Sequence, residues 1–263
     1  MKNQQNKRLL ALDIMRGITV AGMILVNNAG TWASAYDPLR HAKWNGLTPT
    51  DLVFPFFMFM MGISTYMSLR KGNFSPTRAT VTKILRRAIV IFIIGIGLTW
   101  LANFMYDYFA NSKSLAEAAN SFARLRILGV LQRLALSYGA GALIAVTLRR
   151  KWLPWVAGVL LAGYAVIMIA GNGFEYADSN IIARVDRAIL SPGHMYTDRA
   201  FGEPYIFDPE GLLSTLPSIA HVLIGFMCGG LICSATDRSQ QMHRLFLVGT
   251  IMTVAGLLFR YGM

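Results

Sequence analysis

The stretch NNAGTWASAYDPLRHAKWNGLTPTDLVFPFFMFMMGIS, residues 27–64, decides the fold of this chain. It is the polar link between two strongly apolar runs, and the second run begins directly after Asp51. A polar segment between apolar runs of about 20 residues is typical of a loop that joins two membrane-spanning helices. The sequence therefore places His41, Trp44, Asn45 and Asp51 together at one membrane face.

The remainder of the chain continues this alternation. Of its 263 residues, 54% are hydrophobic and 14% are charged, against about 25% charged in ordinary soluble domains. The apolar runs predict seven spans, at residues 11–30, 51–69, 88–103, 127–148, 152–171, 212–233 and 245–261. We therefore expect an all-α, polytopic transmembrane helix bundle. Because there is no internal repeat or low-complexity linker, residues 1–263 are predicted to form a single integral-membrane domain.

The net charge of +12 comes from Lys and Arg residues concentrated in every second loop. This distribution argues against a nucleic-acid-binding surface. Alternate loops are rich in Lys and Arg, and the positive-inside rule places such loops in the cytoplasm. These basic positions are Lys2, Lys7, Arg8, Arg70, Lys71, Arg78, Lys83, Arg86, Arg87, Arg149, Arg150, Lys151, Arg238 and Arg244. The other loops contain nearly all the acidic residues. We expect a cytoplasmic N-terminus, with His41 and His194 on the opposite face and no nucleic acid partner.

Two predicted spans contain charged side chains, which cost about 2.5 to 3.5 kcal/mol each at the centre of a membrane helix. Asp13 and Arg16 are three residues apart, so they share one helix face and can pair. The pair either locks the first helix to its neighbours or forms the polar floor of a ligand site open to the cytoplasm. Arg133, in the fourth span, is expected to pair with Asp13 or Asp51 or to bind an anionic ligand.

The loop around His41 contains the side chains best suited to catalysis. Imidazole exchanges protons near neutral pH, so His41 can deprotonate an amine or a hydroxyl, although a lone loop histidine is more often a surface residue. Trp44 and Asn45 can supply an apolar wall and a directed amide. Asp51 has the position of a helix N-cap or first-turn acid, which would orient the second span beside a cavity.

Two further segments on the same face offer polar groups. Asn27 and Asn28 lie near the outer end of the first span, where an amide needs a partner in a neighbouring helix or in a ligand site. Either amide can donate to an oxyanion. Residues 172–211 form a second long loop, interrupted by glycines and prolines, and such backbone must lie in water or line a protein cavity.

The basic loop that contains Arg86 and Arg87 has three interpretations. It enforces topology, binds anionic lipid, or receives a multiply phosphorylated cofactor from the cytoplasm. Cys228 and Cys233 lie five residues apart in one span without His or Asp neighbours, so we interpret them as packing residues and expect no metal site.

Six sequence blocks occur in a specific order from Arg8 to about residue 230: RLLALDIMRG, VNNAG, HAKWNGLTPTDLVFPFFMFMMGIS, RILGVLQRLALSY, VDRAILSPGHMY and FDPEGLLSTLPSI. In these blocks the chain resembles the heparan-alpha-glucosaminide N-acetyltransferase family and its bacterial relatives. The resemblance implies a multi-helix membrane enzyme that takes acetyl from cytoplasmic acetyl-CoA and passes it to an amino sugar on the far, periplasmic side. Family members continue for several further helices, so the chain is expected to be truncated relative to the family.

The resemblance also implies roles for individual residues. The active-site histidine of the family falls on His41 and its catalytic asparagine on Asn27, the expected donor to the oxyanion. The resemblance and the charge pattern together predict two binding sets. The acetyl-CoA set contains Asp13, Arg16, Arg133, Arg86 and Arg87. The substrate set contains Trp44, Asn45, Asp51 and His194.

The resemblance further predicts that the enzyme lies in the bacterial inner membrane in contact with its lipid. It also gives a homodimer as a candidate assembly. Two alternative functions stay open from the residues alone. One is a transporter of a sugar or organic anion, with Asp13, Arg16 and Arg133 as gating charges. The other is an acyltransferase that modifies a hydroxyl group of an envelope glycan. His41 would act either as a base during direct transfer or as a residue that is itself acetylated.

Overall fold

The computed structural model describes residues 9–31, 34–234 and 237–262. The described helices are α1 (Leu10–Asn27), α2 (Val53–Arg70), α3 (Arg78–Met105), α4 (Leu115–Ala119), α5 (Val130–Thr147), α6 (Leu153–Ala170), α7 (Ile181–Leu190), α8 (Leu212–Ser234) and α9 (Arg238–Gly262). Strands β1 (Thr197–Asp198) and β2 (Tyr205–Ile206) form an antiparallel hairpin. The long helices α1, α2, α3, α5, α6, α8 and α9 give seven candidate membrane spans. The predicted all-α bundle of seven spans is confirmed, and the chain is an integral membrane protein.

The third span is longer than its apolar run indicates. Helix α3 starts at Arg78, well before residue 88, because the Thr77 hydroxyl accepts the backbone N–H of Thr80 and so caps the helix. At its other end the chain continues through a π-helical turn, Tyr106–Ala110. The prediction of a basic loop was therefore wrong for four residues, which lie on the first turns of α3: Arg78, Lys83, Arg86 and Arg87.

Helices α2, α5 and α8 form the centre of the bundle, and the other four spans surround them. In the most apolar stretch of each span, half of the α5 residues and 39% of the α2 and α8 residues are buried, whereas none of the α9 residues is buried. The main core lies where these central helices meet α3 and α6. Its large side chains include Tyr66, Ile84, Tyr138, Leu153, Leu223 and Phe226.

Helices α2 and α8 are in backbone contact. A Cβ atom on Gly225 would overlap the carbonyl oxygen of Phe59, and one on Gly229 would lie 3.2 Å from the Cα of Ile63. Because both contacts advance by one turn in the same direction, the two helices run parallel. Small residues allow this close approach, which is a common source of attraction between helices in a membrane.

Residues 172–211 are more ordered than the predicted irregular loop, because they form α7 and the β1–β2 hairpin. The fully buried Asn180 starts α7: its Oδ1 accepts the backbone N–H of Ile182 at 2.9 Å, and its Nδ2 donates to the carbonyl of Gly173 at 3.0 Å. This segment therefore forms a fixed structure over one end of the bundle.

The two ends of the bundle differ in chemistry. We call the end where α2 begins, next to the loop of His41, the His41 end. The opposite end, where α2 finishes at Arg70 and α3 begins at Arg78, is the basic end. The 18 residues of α2 separate the two by about 27 Å, at 1.5 Å per residue. Three more predicted basic positions lie outside the described residues: Lys2, Lys7 and Arg8.

Candidate active site

His41 and Asp51 form a hydrogen-bonded pair just before α2. The Nδ1 atom of His41 lies 2.6 Å from one carboxylate oxygen of Asp51. The other oxygen accepts the backbone N–H groups of Thr48, at 2.8 Å, and Ala42, at 3.3 Å. Asp51 lies in a 3₁₀ turn, Thr50–Leu52. Of the two predicted positions, the first-turn acid is confirmed for this turn. The N-cap was wrong, because Pro49 has that position and the Asp51 carboxylate bonds back to the loop of His41.

This pairing selects one tautomer of the imidazole. An ionised carboxylate only accepts hydrogen bonds, so Nδ1 of His41 carries a hydrogen and Nε2 keeps its lone pair. The side chain of His41 is 64% exposed, whereas that of Asp51 is 22% exposed. A substrate can therefore reach the free nitrogen while the protein holds the other one. A base or nucleophile oriented by an acid has this arrangement.

Trp44 and Asn45 attach the loop of His41 to the segment that follows α6. The indole N–H of Trp44 and the amide of Asn45 both donate to the carbonyl oxygen of Phe174, at 2.7 and 3.2 Å. The Trp44 ring also packs edge-on against Tyr176 and Phe207, with ring centroids 4.9 and 4.7 Å apart. Both polar groups thus hold two loops together, and contact of these residues with substrate stays a prediction.

Asn27 lies at the end of α1, and its amide is bonded within its own helix. Its Nδ2 donates to the carbonyl of Met23 at 2.9 Å, and Asn28 donates in the same way to Ile24 at 2.7 Å. Each amide keeps a second hydrogen for another acceptor. Both side chains are exposed at the His41 end. The oxyanion role of Asn27 stays a prediction.

Asp13 and Arg16 pair at 3.3 Å on α1, and Arg16 also donates to the hydroxyl of Ser64 on α2. The contact links α1 to the central helices, as expected for the structural alternative. Both side chains are nearly half exposed. Their predicted role in acetyl-CoA binding stays untested.

Arg133 lies near the His41 end of α5, against α8. Within the described residues its guanidinium donates to three neutral acceptors: the Ser218 hydroxyl at 2.8 Å, the Ser214 carbonyl at 2.7 Å and the Pro209 carbonyl at 3.1 Å. The expected pairing of Arg133 with Asp13 or Asp51 was wrong. Two residues of α8 and Pro209, just before the helix, supply these acceptors instead. The guanidinium carbon also lies 5.1 Å from the ring centroid of Phe54, close to the start of α2.

His194 is held by contacts with the segment before α5, not by the loop of His41. Its Nδ1 donates to the carbonyl of Leu125 at 2.8 Å, and its own carbonyl accepts the backbone N–H of Ile127 at 3.0 Å. These bonds fix the turn before β1 to the segment before α5. The assignment of His194 to the substrate site stays a prediction.

A network of charged residues at the His41 end was not predicted from the sequence. Arg126 donates to Asp208 through two nitrogens, at 2.9 and 2.5 Å, and also pairs with Glu210. Asp208 is fully buried and accepts the backbone N–H of Tyr196 at 3.2 Å. The sequence offered one indication of these residues, because Arg126 and Asp208 both lie in the sequence blocks quoted above.

Asp186 is a second buried acid beside this network. One of its oxygens accepts the backbone N–H of Leu212 at the start of α8, at 2.9 Å, and the other fills the space that a Cβ atom on Gly211 would need. Burial raises the pKa of Asp186 to about 6; the bond from Leu212 opposes that rise and the nearby charge of Asp208 adds to it. The start of α8 is thus held by a carboxylate that titrates close to neutral pH.

The basic end contains a cavity of about 630 Å³ between α2, α3, α5 and α8. Its charged lining consists of Arg70, Lys71, Lys83 and Arg87. Arg87 reaches its inner wall, where the guanidinium carbon lies 5.0 Å from the ring centroid of Tyr138. Arg86 is exposed and is not among the described residues that line the cavity. Of the five residues predicted to bind acetyl-CoA, Arg87 alone belongs to the described lining.

The chain is similar to a known protein family over nearly its whole length. The family model described as "Heparan-alpha-glucosaminide N-acetyltransferase, catalytic" matches residues 8–259. The chain belongs to this family. The suspected resemblance is confirmed, because the match covers nearly the whole bundle and both ends described above.

Two curated relatives carry the name of the family. Heparan-alpha-glucosaminide N-acetyltransferase of Homo sapiens is 27% identical over 282 residues, which cover 89% of this chain and 40% of the relative. The Mus musculus protein of the same name is 24% identical over 286 residues, which cover 91% of this chain and 41% of the relative. The chain thus spans about two fifths of the length of the curated relatives it matches.

Proposed function

We propose that this chain transfers an acetyl group from acetyl-CoA to the amino group of a glucosamine-type sugar. The observation that carries the proposal is the His41–Asp51 pair at one end of a bundle whose other end opens as a basic cavity. Membership of an acetyltransferase family supports the reaction class. The donor is assigned to the basic end and the acceptor to the His41 end.

Acetyl-CoA carries several phosphate groups, and the chemistry of the cavity suits them. Arginine and lysine form charge-assisted hydrogen bonds with phosphate oxygens, and hydroxyl groups in the same lining can add further donors. The volume falls within the range of about 300–1,000 Å³ usual for small-molecule sites. The lining residues assigned to the phosphates are Arg70, Lys71, Ser75, Thr80, Lys83 and Arg87.

The acetyl group must then travel along α2 toward His41. Thr65 lines the inner part of the cavity, and from Thr65 to Asp51 the chain rises by about 20 Å at 1.5 Å per residue. Because α2 and α8 are in backbone contact, we place the path of the pantetheine arm on the side of α2 that faces α3 and α5. The nucleotide stays at the basic end while the arm carries the thioester inward.

The reaction joins the acceptor nitrogen to the acetyl carbon and breaks the carbon–sulfur bond of the thioester. In direct transfer, Nε2 of His41 takes the amine proton, and the departing thiolate ends as a thiol. In stepwise transfer, the same Nε2 first accepts the acetyl group and passes it on. Both routes need the tautomer that Asp51 selects. The remaining amide hydrogen of Asn27 is assigned to the oxyanion, a contribution typically worth about 10² to 10³ in rate.

The charge distribution supports a direction for the transfer. By the positive-inside rule the basic end and the N-terminus face the cytoplasm, where acetyl-CoA is made available, and the His41 end faces the periplasm. We accordingly propose the bacterial inner membrane as the location. The homodimer and the contacts with lipid stay predictions.

The test offers ¹⁴C-labelled acetyl-CoA and glucosamine to the full chain in proteoliposomes. We expect label on the sugar nitrogen with the wild-type protein and at least a 10³-fold lower rate with His41→Ala. Transfer by His41→Ala at the wild-type rate would overturn the assignment.

The same assay separates the alternatives. Label on a sugar hydroxyl would indicate an O-acyltransferase, and uptake of unmodified sugar would indicate a transporter. Either result would contradict the proposed function.

A further inference from the structure

We propose that the turn between α5 and α6 binds the headgroup of an anionic phospholipid in the membrane leaflet at the basic end. The site, called the lipid turn, consists of Arg149, Lys151, Trp152 and Trp155. None of these four side chains belongs to the described lining of the basic cavity. The lipid turn is therefore separate from the site assigned to acetyl-CoA.

The two cations of the lipid turn have no acidic partner in the described part of the chain. Arg149 and Lys151 are both exposed, and neither forms a salt bridge within the described residues. Residues 118–174, which include the whole of α5 and α6, contain no Asp or Glu. Basic side chains next to a membrane attract anionic lipid headgroups. The turn therefore presents two free positive charges to an anion.

Two tryptophans place these charges at the membrane surface. Trp152 is 52% exposed and Trp155 is 70% exposed, and they lie on one face at the start of α6. Tryptophan is enriched where membrane meets water, because indole combines a large apolar body with an N–H donor. The Nζ atom of Lys151 lies 5.7 Å from the ring centroid of Trp152. The cations and the indoles therefore lie together at the depth of the lipid headgroups.

The same face of α6 continues as an apolar stripe. Val159 is 70% exposed, Val166 is 63% exposed and Ile169 is 58% exposed. From Trp155 to Ile169 the helix rises by about 21 Å, which exceeds the depth of one leaflet of the hydrocarbon core, about 15 Å. The acyl chains of a lipid can lie along this stripe while its phosphate meets the cations. A soluble phosphate compound would use the cations alone.

The turn is fixed by the arginine between its two cations. The guanidinium carbon of Arg150 lies 3.7 Å from the ring centroid of Phe74, and its Nη1 donates to the hydroxyl of Tyr66 at 3.4 Å. Arg150 thus packs against the connection between α2 and α3, and its neighbours are left to bind a ligand. The positive-inside rule requires only charge, whereas exposed indoles beside a fixed turn are features of a binding surface.

The test uses quenching of tryptophan fluorescence by brominated lipid. The full chain is reconstituted in phosphatidylcholine vesicles that contain a minor fraction of brominated phosphatidylglycerol or, in parallel, brominated phosphatidylcholine. We expect phosphatidylglycerol to associate with the lipid turn about five- to thirtyfold more strongly, the attraction usual for one or two basic residues. Arg149→Gln combined with Lys151→Gln should reduce this preference to about twofold or less.

Two further variants locate the signal and supply the control. Trp152→Phe combined with Trp155→Phe should remove the excess quenching, because the remaining tryptophans lie elsewhere in the chain. Arg78→Gln combined with Arg244→Gln removes the same charge from two other exposed positions at the basic end. This control pair should keep the preference for phosphatidylglycerol.

Three results would overturn the lipid turn. Equal quenching of the wild-type protein by the two lipids would show that the site has no preference for an anionic headgroup. Equal loss of preference in the control pair would assign the effect to the overall surface charge. Release of the quenching by millimolar glycerol phosphate would assign the turn to a soluble phosphate compound.

Discussion

The Nδ1 atom of His41 lies 2.6 Å from the carboxylate of Asp51, which is held in turn by backbone N–H groups of the same loop. Asp51→Asn keeps the shape of this partner and removes its charge. We expect kcat to fall by about 10² or more, because the tautomer and any positive charge on the imidazole lose their support. Binding of acetyl-CoA, measured by equilibrium dialysis, should stay unchanged.

Asp37→Asn is the matched control, since Asp37 lies in the same loop with its side chain 97% exposed. It should keep wild-type kcat. Full activity of the Asp51→Asn protein would contradict the proposed role of Asp51 in the mechanism.

Arg86 and Arg87 are adjacent in sequence, yet Arg87 alone of the two lies in the described lining of the basic cavity. Arg87→Gln should raise KM for acetyl-CoA by about 10- to 100-fold, as expected for the loss of a hydrogen bond to a charged group. Arg86→Gln should have less than a threefold effect in steady-state kinetics. Equal effects of the two substitutions would place the nucleotide elsewhere.

Asp186 should make stability depend on pH. Its folded-state pKa of about 6 lies above the ordinary value of 3.8, so the folded state binds this proton more tightly than the unfolded state. Stability is therefore lost as the pH rises from about 3.8 to about 6, and the loss is complete above that value. Acidification from pH 7.5 toward 4.5 should regain most of it.

Thermal unfolding in detergent at several pH values tests this prediction. Asp186→Asn should raise the Tm at pH 7.5 and leave it nearly unchanged at pH 4.5, whereas Glu203→Gln, an exposed control, should not alter the pH profile. A parallel shift of the Asp186→Asn profile at all pH values would show that the group does not titrate in this range.

Gly62 of α2 faces the backbone of α8 so closely that a Cβ would overlap the carbonyl oxygen of Val222. Gly62→Ala should lower the free energy of unfolding by about 1–3 kcal/mol, as overpacking does, and lower the Tm accordingly. Gly158→Ala on α6 has open space at its Cβ position and should not lower it. Wild-type stability of Gly62→Ala would contradict the backbone contact of α2 with α8.

Sequence pattern predicted the spans well because lipid requires long, unbroken apolar helices. It predicted the start of α3 poorly, since residues 78–87 have the composition of a basic loop. The order inside residues 172–211 depends on contacts such as those of Asn180 with Gly173, which no local propensity indicates.

The candidate site shows the same limit. The importance of His41 was visible in its surroundings and in the family resemblance, but the partner of its Nδ1 depends on how residues 41–51 fold back on themselves. For Arg133, an unpaired charge in a span indicated a special role, yet its acceptors come from residues about 80 positions later. Contacts over such a separation follow from helix packing, which sequence periodicity does not specify.

The central claim is that acetyl enters at the basic end and leaves at the His41 end. Proteoliposomes with a single orientation, established by protease accessibility, are supplied with labelled acetyl-CoA on one side and glucosamine on the other. We predict N-acetylated sugar when acetyl-CoA faces the basic end and glucosamine faces His41, and none in the reversed arrangement. Product formed only when both substrates share one side would contradict transfer across the membrane.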